Sequence, residues 1–302
     1  MRELKDVQGE RSLYSIPISR VGVKNVKMPI VIQRDDEENH LVAEFDVFVD
    51  LPPNRKGADM SRAVEAINEV VLKREHLLSI EKVAQEIAKE SLRRFDYSTL
   101  AIVSLKTELY SKKTSQSGKT SFVSYPMSTE AIVSRDGSQS SSIEVDVLGI
   151  NACPCAMETA KTLIANENPE IDGFLDSVPG ITHNQRNHVK IKAVLYEDKN
   201  IEAMILIEAA EKVLGGPILP VLKRVDEGNL VIHAHKNPMF VEDIARSVAM
   251  TVLNIKDFIP DNAFLEVSSE SEESIHPHNA YAKISGNVGD LRKIADYKLN
   301  SR

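Results

Sequence analysis

Only two cysteines occur in 302 residues, and they stand one residue apart in Cys153-Pro154-Cys155. Downstream follow His183 in THNQR, Glu208 in LIEAAEK, and His276 and His278 in SIHPHNAYA. A thiolate, an imidazole and a carboxylate make a three-ligand set for a divalent ion and leave a fourth position for water, the requirement for metal-assisted hydrolysis. Water on such an ion is acidified toward neutral pH. Alternate residues of a strand face one side, so both rings of His276-Pro277-His278 can enter one pocket. Each residue also has a plainer reading. Cys-Pro-Cys suits two small residues buried at a turn, His183 suits a loop histidine bonded to backbone, Glu208 suits an exposed helix position, and a surface His-x-His needs no ligand. Spacing leaves both readings open, and it is too short for an ordinary unstrained disulfide between the two thiols.

Other chemistries find less support. The phosphate loop GxxxxGK[ST] is missing, and Gly215-Gly216 runs into Pro217 instead of opening a helix with Lys-Ser, so Walker-type phosphoryl transfer is not expected. A bound triphosphate would need point charges, for which Arg186, Lys56 and Arg62 are candidates, although each alone also reads as solvated surface. A formal net charge of -8 argues against a broad nucleic-acid face, and the lack of Trp removes a stacking platform for single strands. One nucleotide in one pocket stays compatible with that charge. No apolar run of about 18 residues and no secretory-type apolar stretch at the start of the chain are found, so no membrane partner and a cytoplasmic location are expected.

The elements that must position these residues read as α+β. Val26 to Gln33 and Leu41 to Leu51 have strand character around the polar turn DDEEN, and Pro52-Pro53 closes the second. Asp59 to Lys73 keeps helical spacing, and Ser79 caps a second periodic run through Val83, Ile87 and Leu92. Thr99 to Leu109 and Ser121 to Ser134 are strands joined by SKKTSQSGKT, expected as a mobile loop. Strands then follow at Ile143 to Ile150 and His188 to Tyr196, helices at about Ile201 to Leu214 and Val241 to Lys256, and strands at Ala263 to Ser268 and His278 to Ile284. The order ββααββ thus occurs twice, predicting two tandem units over residues 1–140 and 141–302, each an antiparallel sheet with helices on one face. Open sheet edges need covering, which predicts a ring-like homo-oligomer with sites where subunits meet.

Several longer strings carry a resemblance over nearly the whole chain. DVQGER, VGVKNVKMPI and VDLPPNRKGADMSR, then CPCAM, THNQR, LIEAAEK, LKRVDEGN, NPMFVEDIARSVA and ESIHPHNAYA, resemble the type IB and archaeal GTP cyclohydrolases and occur in that family's order. The resemblance implies the tunnelling fold and a homotetramer. It implies Cys153, His183 and Glu208 as metal ligands, Cys155, His276 and His278 as proton-transfer or further metal residues, and Glu227 as the carboxylate that accepts two N–H bonds from guanine. The implied reaction is attack on C8 of GTP, release of formate, and reclosure to a dihydroneopterin. In archaeal members the product is the 2',3'-cyclic phosphate for the methanopterin pathway; in bacterial members it is the triphosphate for folate. The long segment ETAKTLIANENPEIDGFLDSVPG between Cys153 and His183, read as an amphipathic helix plus a loop, favours the archaeal kind and Fe(II), with Zn(II) or Mn(II) served by the same ligands. More distant alternatives are a nitrile reductase of the same fold using a cysteine nucleophile, and a non-catalytic purine-binding protein stapled by a metal.

Overall fold

Long alternating strands build the sheet. In β2 (Glu37–Leu51) every second residue from Leu41 to Leu51 is buried, with Phe45 and Val47 fully so, which is the period of a strand that covers one face only. Its antiparallel partner β1 (Ile18–Arg34) sets Val26 opposite Phe45 and Val21 opposite Val49. The register slips between Val23 and Val26, where Asn25 adopts a left-handed φ of 59° and donates its N–H to Asp46 Oδ1 at 2.8 Å. β1 therefore begins well before Val26, and its early residues escaped the sequence reading because they are largely exposed and lack apolar alternation. This computed structural model describes residues 6–34, 37–73, 79–196, 199–255 and 258–299, so part of the expected DDEEN turn and the end of the helix expected to reach Lys256 lie outside the described residues.

Two helices follow, α1 (Met60–Lys73) and α2 (Ile80–Arg94), packed on each other. Ser79 caps α2 as its sequence suggested, its Oγ accepting the Lys82 N–H at 3.2 Å. The other end is closed by Arg135, whose Nη2 donates to the carbonyls of Leu92 and Phe95 at 2.8 and 3.0 Å, satisfying oxygens that a helix end otherwise leaves orphaned.

β3 (Leu100–Thr114) and β4 (Thr120–Ser134) run through half of the polar stretch expected as a loop. Only residues 115–119 turn, closed by Ser115 N–H to Lys119 O at 2.8 Å. Beyond the helices both faces of a hairpin can be solvated, so polar composition there does not signal a loop. The remaining strands are β5 (Gln139–Ala152), β6 (Asn184–Leu195), β7 (Phe264–Glu272) and β8 (Ala280–Asn287), and the eight strands are hydrogen-bonded in chain order in one sheet. Between β5 and β6 stand α3 (Pro154–Glu167), a short 3-10 turn and α4 (Asp172–Leu175). Between β6 and β7 come α5 (Ala203–Leu214), α6 (Arg224–Lys236) and α7 (Val241–Leu253), and α8 (Val288–Leu299) ends the described chain.

Two compact units result. The first comprises Met1–Glu108, Pro126–Glu144 and Val194–Asn200; the second comprises Leu109–Tyr125, Val145–Ala193 and Ile201–Arg302. In the second unit α7 packs on α5, β7 and β8, burying Ile244, Val248 and Val252 in a core with Leu206, Ile207, Val189, Ile191, Leu265 and Val267. Burial of each such side chain contributes roughly 1.5–3 kcal/mol. Sequence periodicity found α5 and α7 but missed α6. Its apolar residues keep to no single face: Val225, Val231 and Ile232 are exposed, and only Asp226 and Ala234 are buried. No helix among the described residues is long and apolar enough to cross a membrane.

Candidate active site

β5 ends at Ala152, and the next residue, Cys153, caps α3 with extended backbone and accepts the Ala156 N–H on Sγ at 3.5 Å. Pro154 opens the helix where a missing N–H costs nothing. Two further bonds tie Cys153 to the chain entering β6. The Cys153 N–H donates to His183 O at 3.4 Å, and Thr182 Oγ1 donates to Cys153 O at 2.8 Å. His183 Nδ1 lies 3.1 Å from Ser274 Oγ, which heads the β7–β8 connection carrying His276 and His278. The end of β5, the start of β6 and the β7–β8 connection are thereby joined in the second unit.

The rings of His276 and His278 stack with centroids 5.1 Å apart and planes 11° from parallel. Strand alternation does not bring them together, contrary to the sequence expectation. β8 begins only at Ala280, so both histidines lie in the connection that precedes it. Both cysteines are free thiols, Cys153 half-buried and Cys155 exposed.

Among the described residues no three His, Cys, Asp or Glu side chains are gathered as an ion-binding cluster. The Cys153 thiol and His183 imidazole, on segments bonded to each other, are nevertheless a donor pair whose softness fits a divalent transition metal. Of the α5 carboxylates, Glu208 is exposed whereas Glu211, one turn on, is buried. Tyr125 Oη donates to Glu211 Oε1, and Lys113 Nζ donates to Oε2 at 2.7 Å. Burial first, and the Glu211 carboxylate second, push the Tyr125 hydroxyl far above the usual tyrosine range. After Leu214 the chain turns at Gly215 with φ 77°, where an added Cβ would lie 2.3 Å from the His233 ring.

α6 carries Glu227, exposed in its first turn with its N–H donated to Lys223 O at 3.0 Å. Beside it, buried Asp226 accepts Ser117 N–H at 3.0 Å, Ser117 Oγ–H at 2.5 Å and Lys223 N–H at 2.9 Å. The Ser117 hydroxyl, then the Lys223 N–H, hold the Asp226 carboxyl below the ordinary aspartate value.

The proposed triphosphate cations are distributed otherwise. Arg186 is exposed on β6 in the second unit. Lys56 and Arg62 belong to the first unit and are engaged locally. Lys56 Nζ meets Glu10 Oε2 at 2.9 Å, while Arg62 Nη1 donates to Arg94 O at 2.8 Å and its Nε lies 3.5 Å from Asp59. Sequence reasoning missed Tyr125, Glu211, Asp226 and His235. No local pattern marks them, since their partners stand far away in the chain: Tyr125 and Glu211 by 86 residues, Ser117 and Asp226 by 109.

A family model described as "Type I GTP cyclohydrolase folE2" matches residues 4–282. The chain is 42% identical over 294 residues to "GTP cyclohydrolase MptA" of Thermoplasma acidophilum, covering 97% of this chain and 99% of that one. It is 36% identical to the protein of the same description from Methanococcoides burtonii, covering 96% of each. Among solved structures, uricase from Arthrobacter globiformis superposes with a TM-score of 0.53 at 7% identity, over 89% of this chain and 93% of that one. A uricase from Bacillus fastidious gives 0.51 at 10% identity, over 91% and 95%. At such identities the likeness concerns the fold alone, the tunnelling fold.

Proposed function

Since this chain belongs to the type I GTP cyclohydrolase family, we propose that it hydrolyses the imidazole ring of GTP, releasing formate and forming 7,8-dihydroneopterin 2',3'-cyclic phosphate and diphosphate for a methanopterin-type cofactor. The observation that carries the reading is near-complete coverage at 42% identity of a relative described as GTP cyclohydrolase MptA. The bacterial folate-type product is the lesser reading, because the relatives quoted above carry the archaeal description.

The residues take the following roles. Cys153 and His183 would hold one divalent ion per subunit, Fe(II) by preference over Zn(II) or Mn(II), with Glu208 of α5 as third donor. When bound, the ion supplies a Lewis acid and an acidified water at C8 of guanine. Glu227 accepts the guanine N–H groups, and Arg186, Lys56 and Arg62 neutralise triphosphate charge. His276, His278 and Cys155 move protons as the ring opens, a role supported for the histidines by their stacking beside the segment bonded to His183. His276 and His278 are also further candidate donors to the ion. Two tandem ββααββ units and a cytoplasmic homotetramer complete the proposal. The repeat is supported by the order β1-β2-α1-α2-β3-β4 followed by β5, β6, α5 to α7, β7 and β8, with α3 and α4 standing between β5 and β6.

Anaerobic incubation of metal-stripped protein with GTP, with and without Fe(II), tests the proposal. Formate and a cyclic phosphate identified by mass are expected; no formate with any divalent metal would refute the cyclohydrolase reading. Cys153→Ala and His183→Asn should abolish formate release while the oligomer stays assembled, and near-native turnover with metal still bound would remove both from the ligand set. Metal content of Glu208→Gln and Glu211→Gln proteins decides which α5 carboxylate is the third donor.

A further inference from the structure

A helix without an apolar stripe has little hydrophobic burial to hold it in place. α6 is such a helix, and polar tethers take over that task. At its N-terminal end Asp226 clamps Ser117, and Asn229 Nδ2 donates to Gln116 Oε1 at 2.9 Å, so two residues of α6 grip the tip of the β3–β4 hairpin. At its C-terminal end the His235 ring meets Gly180 O at 3.2 Å and the side-chain oxygen of Asn184, next to His183. The hairpin tip, the α5–α6 connection and α6 surround a cavity of about 300 Å³, so continuous packing does not replace the tethers there. The Asp226 clamp is the densest of them: three donors converge on one buried carboxylate, one residue from Glu227.

We propose that Asp226 is a positioning residue for guanine recognition, anchoring the first turn of α6 to Ser117 so that the Glu227 carboxylate is presented in a fixed place. The proposal rests on the reading of Glu227 as the guanine acceptor. Two charge-assisted bonds from Ser117 set the azimuth and height of the helix start, the third, from the Lys223 N–H, caps the helix's own first turn, and Glu227 inherits that placement through the rigid backbone of the turn. Loss of the clamp leaves the chemistry of Glu227 intact but spreads its position, and a displacement of about 1 Å at a recognition group can cost up to about a hundredfold.

Steady-state kinetics of the metal-loaded enzyme with GTP and with ITP, which lacks the 2-amino group, test this. Asp226→Asn should raise the KM for GTP on the order of tenfold, leave kcat within a few-fold, and narrow the GTP-over-ITP preference. Ser117→Ala removes one donor and should do the same to a smaller extent, which keeps the test available should Asp226→Asn fold poorly. Glu227→Gln serves as reference. If it raises KM and the double variant with Asp226→Asn is no worse than Glu227→Gln alone, the two residues act as one unit, as proposed. If Glu227→Gln shifts KM and preference while both clamp variants, folded and metal-loaded, do not, the positioning role is overturned. If Glu227→Gln itself leaves KM and preference unchanged, the guanine reading of Glu227 falls instead.

Discussion

Glu211 shows how a single buried charge is managed. Its carboxylate is nearly closed off from water and is matched by the Tyr125 hydroxyl and the Lys113 ammonium, which also lies 5.8 Å from the centre of the Tyr125 ring. Removing one partner leaves an acceptor undersupplied, so Tyr125→Phe should cost about 1–3 kcal/mol at neutral pH, measured by urea unfolding. The pH dependence adds a second readout. The Tyr125 pKa is raised in the folded state, so its contribution is fully present below the unfolded value near 10.0 and is lost as pH rises above it. Wild-type stability should therefore fall more steeply than that of Tyr125→Phe between about pH 9 and pH 11. Parallel curves over that range would show that neither burial nor Glu211 raises Tyr125.

At the scale of elements, the turn from α5 into α6 runs through two glycines of positive φ, Gly215 and Gly216, of which only Gly215 is packed against a side chain. Gly215 has a left-handed φ of 77° and lies against the His233 ring, which leaves no room for a methyl group. Gly215→Ala should destabilise the protein by about 1–2 kcal/mol through backbone conformation alone, with the clash added. Adding His233→Ala should recover the clash part only, leaving the backbone cost, and full recovery in the double variant would show that conformation contributes nothing. α5 and α7 were legible because their apolar residues recur at helical spacing. α6 was not, because tethers to the hairpin tip and to Gly180 and Asn184 hold it, and no periodicity records such partners. The turn at 115–119 lies within the stretch read as a loop, whereas residues 111–114 are strand, which their polar composition does not reveal.

For the whole molecule, the sheet of eight strands in chain order leaves β1 and β8 as its outer strands. Unpaired strand edges favour pairing with other copies, which is the physical ground for the proposed homotetramer. Sedimentation equilibrium should give four times the 33.6 kDa of the chain, and a monomer at micromolar concentration would remove that part of the proposal. Uricases share this fold at 7–10% identity, while the type I GTP cyclohydrolase family is shared through sequence, so fold and family are separate findings here.

The sequence by itself determined the α+β class, the strands and helices whose apolar residues repeat at two or 3.6, the Ser79 cap, and, through long motif strings, the family. Those features are local, written in neighbours a few residues apart. Only the tertiary structure decided that Cys153 is bonded to the Thr182–His183 segment, that His276 and His278 meet by stacking in a turn and not along a strand, and that Glu211 is the buried α5 carboxylate. It alone joined Asp226 to Ser117. Each of these depends on a contact between residues distant in the chain or on which side of an element faces inward, and burial with its partner is a property of the folded neighbourhood, not of the residue.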